Sequence, residues 1–217
     1  MTQSRPITAR VVFARAATVF LVVAIGSLLL PAALVAQVRL EVTPFFTSYY
    51  ATRDLTFVNE SNLERQEAGP GVGASLTWRF TNIWAVEAQA AYVRSGVVVK
   101  NTGFVNFEPA TDGHLLLFNG RVLFQPRRTN IYFALGAGTV ARSGPAWDVT
   151  GIDNLSNVAT IVGFGIRARV SPTWGFRIGT ELHMYESDPD RSNAYYQKRK
   201  QTDVLVSIGV PLALIGR

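Results

Sequence analysis

The amino-acid sequence predicts an all-β chain, a helical leader followed by an eight-stranded antiparallel up-and-down transmembrane β-barrel. Three observations carry that expectation. Beyond residue 37 apolar and polar residues alternate with period two, and no stretch keeps a helical period. The alternating stretches are about ten to fourteen residues long, which exceeds the ~5–6 of an ordinary globular strand and suits a tilted span needing ~9–11. The connections between them alternate short and long, as in barrels with tight turns on one side of a bilayer and longer loops on the other.

The leader comes first. Arg5, Arg10 and Arg15 make a basic start without an acidic residue, and the run from Ala16 to Leu30 is apolar apart from Thr18, Gly26 and Ser27. Pro31 breaks the run, and small residues lead to Ala36. This is the order of a secretory signal peptide. Cleavage after Ala36 divides the chain into a signal peptide, residues 1–36, and a barrel, residues 37–217. The apolar run is short for an anchor of ~20 residues. Its removal takes away three arginines, so the formal charge falls from +6 to about +3.

Composition then excludes several classes. The chain has no cysteine, hence no disulfide framework and no thiolate metal site. His114 and His183 are its two histidines and make no metal site between them. No cofactor and no metal are expected. No Lys/Arg-rich run marks a nucleic-acid footprint, so nucleic acid is not an expected partner.

The strands follow in order. A first is expected near residues 38–51. The second, 72–80, sets Val72, Ala74, Leu76, Trp78 and Phe80 against Gly73, Ser75, Thr77 and Arg79. From Trp84 a third sets Val86, Ala88, Ala90 and Tyr92 against Glu87, Gln89 and Ala91, and from Leu116 a fourth sets Phe118, Val122 and Phe124 against Leu117, Asn119 and Arg121. A fifth is expected near 130–141. The sixth opposes Val158, Val162, Phe164, Ile166 and Val170 to Gly163, Gly165, Arg167 and Arg169. The seventh opposes Trp174, Phe176, Ile178, Leu182 and Met184 to Arg177, Gly179, Glu181, His183 and Tyr185. The eighth opposes Val204, Val206, Ile208, Val210 and Leu212 to Asp203, Ser207 and Gly209. Short turns fall at Thr81-Asn82, Pro126 to Asn130 and Ser171-Pro172-Thr173. Long loops fall near residues 53–68, 96–112, 142–157 and 187–199.

Two features turn the apolar face outward. The other face carries Arg79, Glu87, Arg121, Arg167, Arg169, Arg177, Glu181 and His183 among glycines and small residues, the mixture of large and small side chains that fills a narrow barrel. Glycine within strands on a water-facing surface would only weaken them. Large aromatics also collect beside the short turns, with Trp78, Trp84, Trp174 and Phe176 forming a girdle at lipid headgroup level. Tyr92 and Tyr185, with Tyr49 and Tyr50, are read as the opposite girdle. An eight-stranded interior is just wide enough for side chains to fill it, so the inward Arg and Glu residues are expected to pair as a polar plug.

The glycine-rich style of the strands (Ile131 to Gly138, and Ile161-Val162-Gly163-Phe164-Gly165) together with this architecture resembles the OmpA/OmpX-type outer membrane protein β-barrel domain family over about residues 38–215. The resemblance implies a bacterial outer-membrane location, with outer-membrane lipid and lipopolysaccharide as surroundings. It also implies a structural or surface-interaction role rather than an enzymatic one. A lipid-modifying enzyme of this kind, a lipid A deacylase, would need serine two residues beyond His183, and Tyr185 stands there. The same pattern is compatible with a small gated pore for small solutes and, with its faces reversed, with a soluble lipocalin-like periplasmic carrier. The loops 96–112, 142–157 and 187–199 are candidate surfaces for an extracellular ligand, carrying Phe104, Phe107, Trp147, Tyr195 and Tyr196. Asp148, Asp153, Asp188 and Asp190 have the chemistry to bridge a divalent cation to lipopolysaccharide, but nothing in their spacing requires it.

Overall fold

A computed structural model describes residues 39–53, 56–58, 62–101, 112–126, 129–145, 156–187 and 199–215, without the side chains of 56–58, 62–65, 97–101 and 199. The expected signal peptide, the expected loop residues Phe104, Phe107, Trp147, Tyr195, Tyr196, Asp148, Asp153, Asp188 and Asp190, and the Arg127-Arg128 pair lie outside the described residues.

Eight long strands make the wall: β1 (Arg39–Ala51), β4 (Gly69–Arg79), β5 (Trp84–Arg94), β7 (His114–Phe124), β8 (Ile131–Ser143), β9 (Ser156–Arg169), β10 (Gly175–Ser187) and β11 (Arg199–Gly209). Each pairs antiparallel with its neighbours in chain order, and β1 pairs with β11 from Phe45↔Gly209 to Ala51↔Asp203, which closes the sheet. Full closure leaves no unpaired edge, the condition for a sheet to stand in lipid.

The last wall position is filled by two pieces. After β11 the chain passes Val210 and Pro211, and β12 (Leu212–Ile215) takes over the pairing with the first residues of β1. Proline has no N–H to give the ladder, so the strand breaks there. The ladder is patched by Val210 N–H donating to the Pro44 carbonyl at 3.1 Å and Gly175 N–H donating to the Pro211 carbonyl at 2.9 Å.

Three short strands fall where the sequence pattern places long loops: β2 (Thr56–Val58), β3 (Asn62–Gln66) and β6 (Val97–Asn101) form their own antiparallel sheet in the order β2-β3-β6 at the long-loop end. They are too short to carry a readable period. Glu67 N–H donates to the Gly96 carbonyl at 2.9 Å, tying the ends of β3 and β5 together.

The period-two alternation becomes inside and outside. Outward residues form an apolar belt, from Val158 at 77% exposed and Phe46 at 70% to Leu135 at 63% and Phe164 at 57%. A soluble carrier has the opposite arrangement, with its apolar face turned in.

Candidate functional site in the barrel interior

The inward face is layered from one end to the other. At the short-turn end Glu41, on β1, receives three guanidiniums: Arg39 at 2.8 Å, Arg79 at 3.4 Å, and Arg167, which reaches it from β9, three strands round the wall. Arg39 also donates to the Pro172 carbonyl at 2.9 Å, which ties β1 to the turn between β9 and β10.

Deeper in, Glu87 and Glu181 share Arg121, and Glu87 also takes Arg177 at 2.5 Å. Strand register explains the first contact, since Glu87 and Arg121 are direct partners across β5 and β7. Thr77, the partner of Glu87 on β4, donates its hydroxyl to the same carboxylate at 2.6 Å. Gln89 and His183 approach Glu181 at 3.4 and 3.5 Å. Arg177 donates through Nε to the Tyr132 hydroxyl at 2.9 Å, with its guanidinium 4.6 Å from the ring centre.

Tyr132 fits because glycines stand beside it. A Cβ added to Gly165 would lie 2.6 Å from the tyrosine ring, and one added to Gly179 would strike its hydroxyl. The strand glycines on β9 and β10 are thus the slot into which the ring is laid.

Above the charged layers the lumen turns apolar. Phe45, Val93, Leu115, Leu117, Val140 and Leu205 pack in one buried cluster. A last polar group caps it: Tyr49 and Tyr185 both donate their hydroxyls to Asp203, the latter at 2.5 Å. Arg142 donates to the Tyr185 hydroxyl at 2.6 Å and to Asn157 at 2.5 Å. Between the charged and apolar layers lies a void of about 10 Å3, flanked by Gln89, Arg121, Arg177 and Ser207, room for about one water molecule.

The expected interior residues therefore divide. Arg79, Glu87, Arg121, Arg167, Arg177, Glu181 and His183 stand in the network. Arg169 does not: it is exposed, because its place at the end of β9, opposite Gly175, lies beyond the lumen at the rim. Trp78, Trp84, Trp174, Phe176 and Tyr92 face outward. Tyr185 and Tyr49 do not. Both are buried inside on Asp203, because strand parity, not nearness to a loop, decides which way a side chain points.

Sequence reasoning misses Glu41, Tyr49, Arg142 and Asp203 as members of the interior network. Asp203 is readable by parity as inward. Arg142 falls by pattern in a loop, whereas β8 runs two residues further than the alternation suggests. Among the described residues no cluster of three or more His, Asp or Glu is placed to hold a metal ion.

No protein-family model and no curated protein sequence matches the chain. Solved structures match its fold. The outer membrane protein OprG from Pseudomonas aeruginosa superposes with a TM-score of 0.61 at 12% identity, over 84% of this chain and 98% of that one. The outer membrane protein AlkL, determined in lipid bilayers, gives 0.58 at 11% identity over 82% and 90%. Neisserial surface protein A gives 0.50 at 14% over 80% and 96%. At such identities the likeness is one of fold, and the fold is the closed eight-stranded antiparallel barrel of small outer-membrane proteins.

Proposed function

We propose that the chain is an integral outer-membrane barrel with a structural or surface-interaction role, exported by a cleaved signal peptide and closed to solutes by its own side chains. Short turns face the periplasm, and the long connections face outward within lipopolysaccharide. What supports this reading is one observation: an apolar belt surrounds a lumen whose inward side chains pair with or pack on one another. Leu115, Leu117, Leu205, His183 and Glu181 are all at most 2% exposed. The work of the molecule then falls to its outer surface. The sheet of β2, β3 and β6 supports two of the long connections there, and the segments 96–112, 142–157 and 187–199 present the candidate ligand surface.

The test is made on the protein refolded in detergent. A band that shifts on boiling, with no conductance steps in planar bilayers, is the expected result. Steady conductance would replace the plug with a pore. Solubility in plain buffer without a heat-shifted band would remove the membrane assignment. An altered lipid A mass spectrum on expression would make the protein an enzyme.

A further inference from the structure

We propose that the short-turn mouth of the barrel is an oxyanion site of the phosphate class, formed by Arg39, Arg79 and Arg167. This goes beyond the surface role, since it lies at the opposite end of the molecule from the long connections. The first ground is charge. Three guanidiniums converge on the single carboxylate of Glu41, which among the described residues leaves two positive charges without a salt-bridged counterpart there. Arg169, exposed at the same rim, adds a third. The deeper layer is different: Arg121 and Arg177 face Glu87 and Glu181, two against two. Among the described residues, no carboxylate other than Glu41 lies within salt-bridge distance of the mouth arginines.

The second ground is register. Arg39 and Arg79 are direct partners across β1 and β4, and Arg167 is the direct partner of Arg177 across β9 and β10. Like charges directly opposite in a sheet destabilise it. Arg177 and Arg121 have two acids, Glu87 and Glu181, between them, whereas Arg39, Arg79 and Arg167 divide one. A bound anion relieves that repulsion.

The third ground is donor supply and access. Three guanidiniums bring roughly fifteen N–H groups, and one carboxylate accepts about four. The three side chains are 14%, 8% and 12% exposed while Glu41 is 2%. Spare donors therefore meet solvent at the mouth while the acid lies beneath them. Guanidinium forks arriving from β1, β4 and β9 suit a compact ligand with several acceptor oxygens, and the arginine fork matches phosphate in pairs of bonds.

The experiment uses the protein refolded in zwitterionic detergent, its folded state checked by the heat-shifted band. Inorganic phosphate is titrated in and followed by phosphorus-31 line broadening and by the thermal midpoint. In parallel, the midpoint is compared between vesicles of phosphatidylcholine alone and vesicles containing phosphatidylglycerol. Saturable phosphate binding is expected, weakened at least fivefold in Arg79→Gln and Arg167→Gln and about twofold in Arg169→Gln. Glu41→Gln removes the competing acid and is expected to tighten binding at least fivefold. A response to free phosphate assigns the site to a soluble phosphate-bearing ligand. A response to phosphatidylglycerol alone, lost in Arg167→Gln and Arg169→Gln, assigns the same site to a lipid headgroup. Absence of both responses in folded protein overturns the proposal. So does phosphate binding that Arg79→Gln, Arg167→Gln and Arg169→Gln all leave unchanged.

Discussion

The two halves of the lumen are built on different physics. In the short-turn half, charged groups hold one another: each carboxylate is met by named guanidiniums from strands far apart in sequence, Arg167 and Glu41 being 126 positions apart. In the long-loop half, Leu115, Leu117, Val93, Val140 and Leu205 fill space as in the core of a soluble domain, under a lid of Tyr49, Tyr185, Asp203 and Arg142. The charged half depends on completeness, since a buried charge deprived of its partner is far costlier than the pair was favourable. The apolar half depends on volume and tolerates exchange of similar shapes. The outer wall faces hydrocarbon in the proposed setting, where burial of apolar surface gives no drive of its own between strands. The lumen is therefore where this barrel has a core.

Substitutions can break or sharpen that contrast. The largest loss is expected from Glu87→Ala, which strands Arg177, leaves Arg121 with Glu181 alone and should cost about 3–5 kcal/mol, measured by urea unfolding in lipid vesicles. Leu117→Ala in the apolar half should cost about 3 kcal/mol through the cavity it leaves, while Leu117→Met should cost under about 1.5 kcal/mol. If the conservative exchange costs as much as the truncation, the apolar half is as exacting as the charged one and the contrast fails. Asp203→Asn keeps the shape but turns a charged acceptor for two tyrosine hydroxyls into a neutral one, with an expected cost of about 1–3 kcal/mol. Smallest of all should be Asp112→Asn. The Arg94–Asp112 pair, 3.3 Å apart with side chains 71% and 92% exposed, lies where ion pairs contribute about 0–1 kcal/mol.

The same contrast explains what is legible in the sequence. Parity alone places Arg79, Glu87, Arg121, Arg177 and Glu181 inside, because their strands are cleanly two-faced. β1 is not: Phe45 and Tyr49 point in while Phe46 and Tyr50 point out, so aromatics on both faces erase the period and with it the signal for Glu41 near the strand's start. Arg142 is invisible for another reason, since alternation weakens near a strand end and fades before β8 does. Arg169 shows the limit of parity from the other side. It keeps the parity of an inward residue, yet the lumen has already ended. Partnering across strands far apart, such as Arg167 with Glu41, has no local signal in the chain and appears only once the cylinder is closed.

That closure has a consequence for how the molecule comes into being. Every other pair of neighbouring wall strands is joined through a connection, so it can zip as a hairpin soon after both halves exist. The seam between β1 and the β11–β12 pair joins positions such as Tyr49 and Asp203, 154 apart, and contacts of such separation form slowly. Pro44 and Pro211 sit on this line, each lacking an N–H to offer it. Until it shuts, the sheet carries two bare margins able to pair with any passing strand. The residues that make the seam also deliver Glu41 to Arg167 and Asp203 to Tyr49. An unsealed sheet therefore lacks both of those contacts, and the last step of assembly makes them as it closes the two margins.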